Sequence, residues 1–396
     1  MYNGRTYIVK KGDTLSSIAV RVYGTTSKEE LLRSANPGNL FVGRRLLVPY
    51  NSLDLHQVGS GVTIIIAGVS ITPESCRILS SIEAIARSWT ATIAWNPGEN
   101  STLDAALKPF VYPDAKVYID GDLIVSGRLY GVNPFLGDGC GVELEGFSYA
   151  ADAIDSTINP PYQWYGMDLQ QHANTLLKQV GLKAIFLDSA GSTFDTIDAE
   201  ATDTIANHLS KLALERGKLV FSDEYGNFVF GSTVSGGDFG SLVEGHPPVS
   251  EWKGAFDGRE LFHTYRVLGS SPDGDDKSIE AFDTNVPVSR TMSVKADDNT
   301  AWEIGRTAEW KRGRQLADAI SILLPVSTWR SSNNKVWKAG GEVNIVSETL
   351  MVPKGFKFLI RTVEFALEEG RQEASLSIVP PGVYGAPGNR VVTPWT

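Results

Sequence analysis

The sequence predicts a mainly β protein with α+β parts, in which a small βααβ module precedes two antiparallel β regions separated by an α/β insertion. Three observations support this prediction. From Val62 onwards, apolar and polar residues alternate with the period of two that is typical of half-buried strands. Helical spacing is restricted to residues 15–35, residues 168–217 and a stretch near 299–317. Clusters of Gly, Pro, Asn and Asp separate these segments, as turns require.

The βααβ module occupies the first fifty residues. A short strand at residues 7–11 ends in a Gly12-Asp13 turn, and apolar residues then recur at i, i+3, i+4 and i+7 on a helix. A second amphipathic helix, an Asn36-Pro37 turn and a closing strand complete the unit. Residues 51–61 lose all periodicity and are rich in Ser, Gly and Asn, which predicts a linker.

This pattern resembles the LysM module. The matching positions are Tyr7-x-Val9-x-x-Gly12-Asp13-Thr14-Leu15-x-x-Ile18-Ala19, then Asn36-Pro37, then Gly43-x-x-Leu46-x-Val48-Pro49. In that family a shallow groove holds N-acetylglucosamine chains. The resemblance implies a groove here at Asp13, Thr14, Leu15, Asn36, Pro37, Asn39 and Leu40. Because caps and turns use the same residue types, the fold alone does not require sugar binding. We expect the groove to dock a protein, and glycan binding stays open as the alternative.

The first β region is predicted to cover residues 62–154. Residues 88–95 alternate cleanly, which places Trp89, Ala91, Ile93 and Trp95 on one face. Asp120-Gly121 between two apolar runs predicts a hairpin with a type I′ turn. These patterns predict a compact antiparallel unit, either a barrel or a half-sandwich.

The α/β insertion is predicted at residues 155–254. Asp168 can cap a helix that Gly181 ends, and Thr202 is expected to open a second helix that ends at Gly217. The strands of the insertion are predicted at residues 184–187, 218–221 and 227–230.

The second β region is predicted at residues 255–385, and residues 386–396 form an extended Pro/Gly-rich tail. A helix is expected near residues 299–317. The strands are predicted at residues 263–268, 319–324, 342–346, 356–367 and 372–379.

Composition restricts the functions that the chain can have. No apolar run approaches the roughly 20 residues that cross a bilayer, and the N-terminus lacks the apolar core of a signal peptide. We therefore expect a protein that is made in a cytoplasm and has no membrane partner. The net charge of -10 argues against a surface that grips nucleic acid. It is compatible with an acidic channel past which DNA slides.

The sequence predicts no cofactor, no metal site and no catalytic residue. Cys76 and Cys140 are expected to be buried, reduced thiols, since neither has a partner at metal-ligand spacing. His172 and His208 lie in predicted helices, where we expect a structural or surface role. The nearest approach to a pair of catalytic carboxylates is Glu143-x-Glu145, for which a solvated strand face is the simpler interpretation. The acidic pair Glu368-Glu369 belongs to a hairpin tip.

The main body carries a second set of characteristic residues. In the insertion these are Trp164-x-Gly166-Met167-Asp168-Leu169 and Leu212-Ala213-x-x-Arg216-Gly217-x-Leu219-x-x-Ser222-Asp223-x-x-Gly226-Asn227-Phe228-Val229-Phe230. Towards the C-terminus they are Ala308-x-Trp310, Arg314, Trp329, Val336-Trp337-x-x-Gly340 and Leu359-Ile360-x-x-Val363-x-Phe365. Over residues 62–385 the chain thus resembles the Mu-type phage baseplate hub family, the late-control or 43 kDa tail proteins. The Mu-type hub lacks the N-terminal LysM module.

The resemblance implies two tail-tube-like antiparallel β-barrel domains, at residues 62–154 and 255–385. Three chains would then place six barrels around the axis of a contractile tail, joining the sixfold tail tube to a threefold spike. The implied partners are two further copies of the chain, the central spike protein, the tail tube or tube-initiator protein and the tape measure protein. The LysM module would contact baseplate wedge or sheath-initiator proteins. DNA would be passing cargo in a virion tail baseplate that is assembled in the host cytoplasm.

Two other classes of function stay open at this point. A tail-associated protein that binds or degrades peptidoglycan would also combine a LysM module with a β-rich body, and clearing of peptidoglycan in a zymogram would identify the degrading kind. A cell-wall adhesin would share the module as well, but it would need a signal peptide.

Overall fold

The structure is a computed structural model of the chain. It describes residues 5–23, 29–48, 61–136, 140–231, 236–249, 251–269, 278–295, 301–368, 370–384 and 391–395. Among the residues that the structure describes, strands account for 44% and helices for 19%, with a large antiparallel sheet. The predicted class, mainly β with α+β parts, is therefore confirmed.

The N-terminal module has the predicted βααβ order. Its elements are β1 (Arg5–Ile8), α1 (Leu15–Tyr23), α2 (Glu29–Ala35) and β2 (Arg45–Val48). The two strands pair antiparallel, and the apolar side chains of the helices share a small core with Val9 and Leu46. Pro49 and the predicted linker up to residue 60 lie outside the described residues.

The first β region begins at Val62. Its elements are β3 (Val62–Ile66), β4 (Val69–Ile71), β5 (Ser75–Ser81), β6 (Ser88–Ala94), α3 (Ser101–Ala106), β7 (Asp114–Ile119), β8 (Asp122–Leu136) and β9 (Cys140–Ser148). Trp89, Ala91 and Ile93 point into the core, as their alternation predicts. Asp120 and Gly121 both have positive φ angles, 48° and 88°, so the predicted type I′ turn is confirmed.

The α/β region follows with a core of its own. Its elements are α4 (Ala151–Asp155), β10 (Gln163–Met167), α5 (Leu169–Leu177), β11 (Ala184–Phe186), β12 (Phe194–Asp198), α6 (Ile205–Glu215), β13 (Leu219–Ser222) and β14 (Phe228–Gly231). Asp168 caps α5, as predicted, and the structure adds a capping box with Gln171. The prediction that Thr202 opens the second helix is wrong. A turn closed by the Asp203 N–H and the Glu200 carbonyl (2.9 Å) delays the helix, and Thr204 caps it instead.

The remaining elements extend to the C-terminus. They are β15 (Asp238–Val243), β16 (Lys253–Phe256), β17 (Thr264–Leu268), β18 (Ser278–Phe282), β19 (Thr291–Lys295), α7 (Ala301–Ala319), β20 (Ile320–Val326), β21 (Glu342–Ser347), β22 (Val352–Glu368) and β23 (Arg371–Val379). Although β15 and the first two residues of β16 fall in the range predicted for the insertion, both strands belong to the large sheet. Strands β16 and β20 pair with each other, and the chain between them forms a small β18-β17-β19 sheet that packs on α7. Alternation alone did not reveal this small sheet.

The two β regions are parts of one 13-stranded sheet. Its main path runs β16-β20-β23-β22-β5-β6-β9-β8-β7-β3-β4, with β21 and β15 attached through β22. The seam is the antiparallel pair of β5 and β22, in which residues 76–81 lie opposite residues 362–367. A single apolar cluster includes side chains from both regions, so they share one core.

The sheet contains an internal repeat. In the first region strands of 6, 15 and 9 residues follow each other as β7, β8 and β9. In the second region strands of 6, 17 and 9 residues follow each other as β21, β22 and β23. The long strand of each triplet has an irregularity at a corresponding place, at Tyr130 and at Arg361. The next strands along the sheet, β6 with β5 and β20 with β16, also correspond. On the other side of each triplet, next to β7 and β21, the repeat ends. There β3 is antiparallel to β7, whereas β15 is parallel to β21.

A buried arginine joins the α/β region to the sheet. Arg87 is 6% exposed, and its guanidinium donates to the carbonyls of Ser222 (3.1 Å) and Ile124 (2.6 Å). Its Nη2 also lies 3.8 Å from the carboxylate of Glu224, which accepts a hydrogen bond from Lys338 at 3.0 Å. These bonds connect three parts of the chain, and removing Arg87 would leave buried carbonyls without donors.

The helices of the α/β region contact each other through two buried histidines. The Nε2 atoms of His172 and His208 are 2.9 Å apart, so one ring must donate and the other must accept. The Nδ1 of His208 lies 3.9 Å from Asp203, which favours the tautomer of His208 that accepts at Nε2. Burial lowers the pKa of His172 to about 3, and it also lowers the pKa of His208. Both rings are therefore neutral at neutral pH.

We predict that acid destabilises the α/β region through this pair. The unfolded chain binds protons on histidine below about pH 6.5, whereas the folded chain does not, so the protein loses stability as the pH falls. The loss at pH 5 is about 2 kcal/mol for His172. Urea denaturation at neutral and acid pH measures it. His172→Gln should reduce the dependence, and the exposed control His246→Gln should not. An unchanged dependence in His172→Gln would contradict the assignment.

Candidate functional site

Two predicted groove residues of the LysM module stabilise its loops with their side chains. The Asp13 carboxylate accepts hydrogen bonds from the Tyr7 hydroxyl and the Lys10 backbone N–H, both at 2.8 Å. Asn36 is 8% exposed, and its Nδ2 donates to the Leu32 carbonyl at 2.9 Å. Asp13 thus closes the turn before α1, and Asn36 closes the end of α2.

Three further groove residues also contribute to the fold. The Thr14 side chain accepts the Ser17 backbone N–H at 3.1 Å, which caps α1. Leu15 and Leu40 are half-buried against the core of the module. Of the seven predicted residues, Pro37 and Asn39 therefore remain as exposed positions without such a contribution from the side chain.

The loop that carries Pro37 and Asn39 is held by one cation. The Arg44 guanidinium donates to the backbone carbonyls of Asn39 (2.6 Å), Pro37 (2.9 Å) and Asn36 (3.4 Å). Three charge-assisted bonds to one loop make its backbone rigid before any partner arrives.

The predicted groove residues do not include the most exposed apolar residues of this loop. Phe41 and Val42 are 64% and 65% exposed, directly after Leu40. A pair of apolar side chains on a rigid loop is suited to bind a partner, since little conformational entropy is lost on contact. The available signal was their place in a turn, outside the apolar stripes of both helices. We call Phe41, Val42, Pro37 and Asn39 the LysM loop surface.

The residues considered for catalysis are dispersed. Within the described ranges, no group of three or more His, Cys, Asp and Glu side chains could hold a metal ion. Cys76 is buried, which raises the pKa of its thiol to about 12. The prediction that Cys140 is buried is wrong, because Cys140 begins β9 at the hairpin end and is exposed. No helix in the described part of the chain is long and apolar enough to cross a membrane.

The face of the large sheet that points away from the core is polar and mainly acidic. Glu143 and Glu145 are exposed on one side of β9, as predicted, and their neighbours on β6 are Thr92 and Thr90. Across the seam, Arg77 of β5 lies 3.2 Å from Glu364 and from Glu368 of β22. Depressions of about 390 and 440 Å³ lie on this face. We call Glu143, Glu145, Glu364, Glu368 and Glu373, with Arg77 and Arg371, the acidic face.

The comparisons with known families identify two parts of the chain. Residues 7–49 match the model of the LysM domain. Residues 150–232 match the model of the second domain of gp44-like baseplate hub proteins, which corresponds to the α/β region. These two parts of the chain are therefore similar to a gp44-like baseplate hub domain and to a LysM domain. No curated protein matches the sequence.

Solved structures extend the similarity to the whole body of the chain. A 43 kDa tail protein of prophage MuSo2 from Shewanella oneidensis is 22% identical, with a TM-score of 0.70 over 82% of this chain and 99% of its own. A tail protein from Neisseria meningitidis is 16% identical, with a TM-score of 0.69 over 82% of this chain and 97% of its own. The fold of the body is therefore that of the Mu-type tail proteins.

A secretion protein shares the same fold at lower similarity. The c3393 protein of Escherichia coli, a type VI secretion component with structural similarity to the T4 tail proteins gp27 and gp5, is 11% identical. Its TM-score is 0.52 over 83% of this chain and 80% of its own. Together with the matched hub domain, these similarities support a structural role in a phage tail or baseplate.

Proposed function

We propose that the chain is the baseplate hub of a contractile phage tail, a homotrimeric ring that joins the sixfold tail tube to a threefold spike. The observation that supports this most is the internal repeat, in which β7–β9 and β21–β23 have corresponding lengths and irregularities. A chain with two similar units presents six such units in a trimer, and closed rings are the usual form of homo-oligomers. Six units match the sixfold symmetry of the tail tube, and three chains match the threefold symmetry of the spike.

The acidic face is suited to line the central channel. It carries five carboxylates against two guanidinium groups, and it crosses the seam between the two units. A wall of this charge repels the phosphates of passing DNA, whereas a basic wall would bind them. In the proposed assembly the DNA is cargo during ejection, and the tape measure protein precedes it.

The proposed partners follow from this geometry. The tail tube or tube-initiator protein would bind the six-unit side of the ring, and the central spike protein would bind the other. The LysM module would use its loop surface to dock baseplate wedge or sheath-initiator proteins. The exposed ring of Phe41 would equally suit stacking on a sugar, so peptidoglycan binding is the second candidate for this module. The assembled protein would reside in the virion tail baseplate after assembly in the host cytoplasm.

The first prediction from this proposal concerns mass. Mass photometry at micromolar concentration should give a species of three times the 43.0 kDa chain mass, alone or on addition of the cognate spike. Monomers only, with and without the spike, would contradict the hub proposal.

The second prediction concerns charge in the channel. Phage particles whose hub carries Glu143→Lys, Glu145→Lys and Glu364→Lys should assemble but release their DNA more slowly, because phosphates bind the new cations. A matched control places Lys at the exposed positions Asp195, Glu200 and Glu260 outside this face. DNA release should recover at high salt in the channel variant. Equal DNA release from the unchanged particle, the channel variant and the control variant would show that this face does not line the channel.

The third prediction concerns the LysM loop surface. Phe41→Ser with Val42→Ser should leave a trimer that fails to recruit wedge or sheath-initiating proteins into particles, because the apolar contact is lost. Val288→Ser with Met351→Ser removes two exposed apolar residues elsewhere and is the control. If the loop variant assembles normal tails but loses an affinity for peptidoglycan that the unchanged protein has, the module binds glycan. Asn36→Ala is unsuited to this test, because its amide is buried and supports the fold.

A further inference from the structure

The long strand β8 has an open edge over half of its length. Its first part, Asp122–Arg128, pairs with β7 on one side, while β9 covers the other side as far as Leu136. No described strand pairs with the free side of residues 131–136. Phe135 is 46% exposed there, and Leu136 is 83% exposed. A free edge with apolar side chains is a site at which another strand can add.

The strand β16 is a second open edge, at the end of the sheet path. Lys253–Phe256 pairs with β20 on one side, and all four residues are exposed. No other described strand lies against it. The strand is short and begins with a lysine, which are two features that limit unspecific pairing of an edge.

Comparison of the two repeated units shows that the free edge of β8 lacks a neighbouring strand that β22 has. The irregularities at Tyr130 and Arg361 align Val132, Pro134 and Leu136 of β8 with Val363, Phe365 and Leu367 of β22. The three residues of β22 are buried, because β5 pairs with this part of the strand. Their counterparts in β8 are also apolar, but Pro134 and Leu136 are exposed. Val132 and Leu136 therefore keep a core-type pattern at a place where a neighbouring strand is missing, whereas Pro134 has no N–H to donate to such a strand.

The counterpart of β5 in the second unit is β16. Trp89 of β6 lies opposite Ile78 of β5, and the corresponding Ile322 of β20 lies opposite Gly254 of β16. By the same alignment Lys253 takes the place of Arg77, so a basic side chain occupies the outer face in both strands. In each unit this strand is antiparallel to its inner neighbour.

We propose that β16 of one chain pairs antiparallel with residues 131–136 of β8 in a second copy, repeating between chains the β5–β22 seam that exists within each chain. The internal register then places Phe135 opposite Lys253 and Asn133 opposite Ala255 of the neighbour. The contact joins two different surfaces, so it propagates from chain to chain, and in the proposed trimer it closes as a ring after three copies. This inference rests on the trimer proposed above and names the surfaces that form it.

An apolar loop beside the open edge enlarges the proposed contact. Phe110 is 86% exposed, and Phe110 and Tyr112 have φ angles of 67° and 50°, which bulky residues rarely adopt. Tyr112 contacts Tyr130 edge-on at 5.8 Å, next to the first residue of the free edge. Strain of this kind persists where the surroundings compensate for it. A second copy at the seam supplies such surroundings.

Disulfide trapping tests the proposed register in the full-length protein. In a Cys140→Ser background, Asn133→Cys with Ala255→Cys should give covalent trimers on mild oxidation, since directly opposed strand residues reach disulfide distance. Each single cysteine variant should stay uncrosslinked. The seam within each chain provides the positive control. Leu79 and Glu364 are the corresponding opposed pair, so Leu79→Cys with Glu364→Cys should form a disulfide within one chain. A negative control, Asn133→Cys with Phe256→Cys, shifts the register by one residue.

The outcomes separate this inference from the hub proposal. Covalent trimers from the Asn133/Ala255 pair alone support both. A trimer by mass photometry that gives no crosslink, or that crosslinks equally well in the shifted register, overturns the seam and leaves the hub intact. A dimer from one single variant would indicate a twofold contact and would overturn the seam as well. Monomers at micromolar concentration, with or without the spike, overturn both.

Discussion

The pairing of β5 with β22 is the interaction on which the rest of the structure depends. It joins six residues near the start of the body to six residues near its end, and so turns two β units into one sheet with one core. A sheet of this kind has two unlike faces, because side chains alternate along every strand. One face is the apolar core and the other carries the acidic face, which extends across the seam. The seam thus joins the two β units of the body, and it also brings the carboxylates of the acidic face together on one surface.

Elements outside the large sheet are attached to it by charged side chains, of which Arg87 is buried and Glu83 is partly buried. Arg87 ties the α/β region to the sheet through the carbonyls of Ser222 and Ile124. Glu83 does the same for α7 and the C-terminal segment, since its carboxylate lies 2.9 Å from Arg314 and accepts the Tyr384 hydroxyl. Both groups lie between elements that are distant in the sequence. Loss of Glu224 would leave the buried charge of Arg87 without its nearest carboxylate, which is more costly than the pair itself is favourable. Charges of this kind fix the relative orientation of elements that apolar packing alone would define less sharply.

The LysM module shows how one set of residues can serve both fold and binding. The residues that its family uses as a groove include Asp13 and Asn36, whose side chains here close the turns at the ends of the two helices. What remains for a partner is the rigid loop held by Arg44, with Phe41 and Val42 outermost. The resemblance predicts a binding groove in this region of the module. It did not separate residues that hold the loop from residues that are free to make contact, because both kinds follow the same framework pattern.

Local physical chemistry determined a large part of this protein from the sequence alone. The helix cap at Asp168, the type I′ turn at Asp120-Gly121 and the alternation around Trp89 each depend on residues a few positions apart, and each was predicted. Only the tertiary structure decided which strands are neighbours, that His172 meets His208, and that Cys140 is exposed at a hairpin end. Alternation specifies which face of a strand is buried but not which strand lies beside it. The seam joins residues almost the whole body apart, and neither strand carries a local signal for the other. The acidic face could therefore be anticipated from net charge but assigned to named carboxylates only once β5 and β22 were seen to pair.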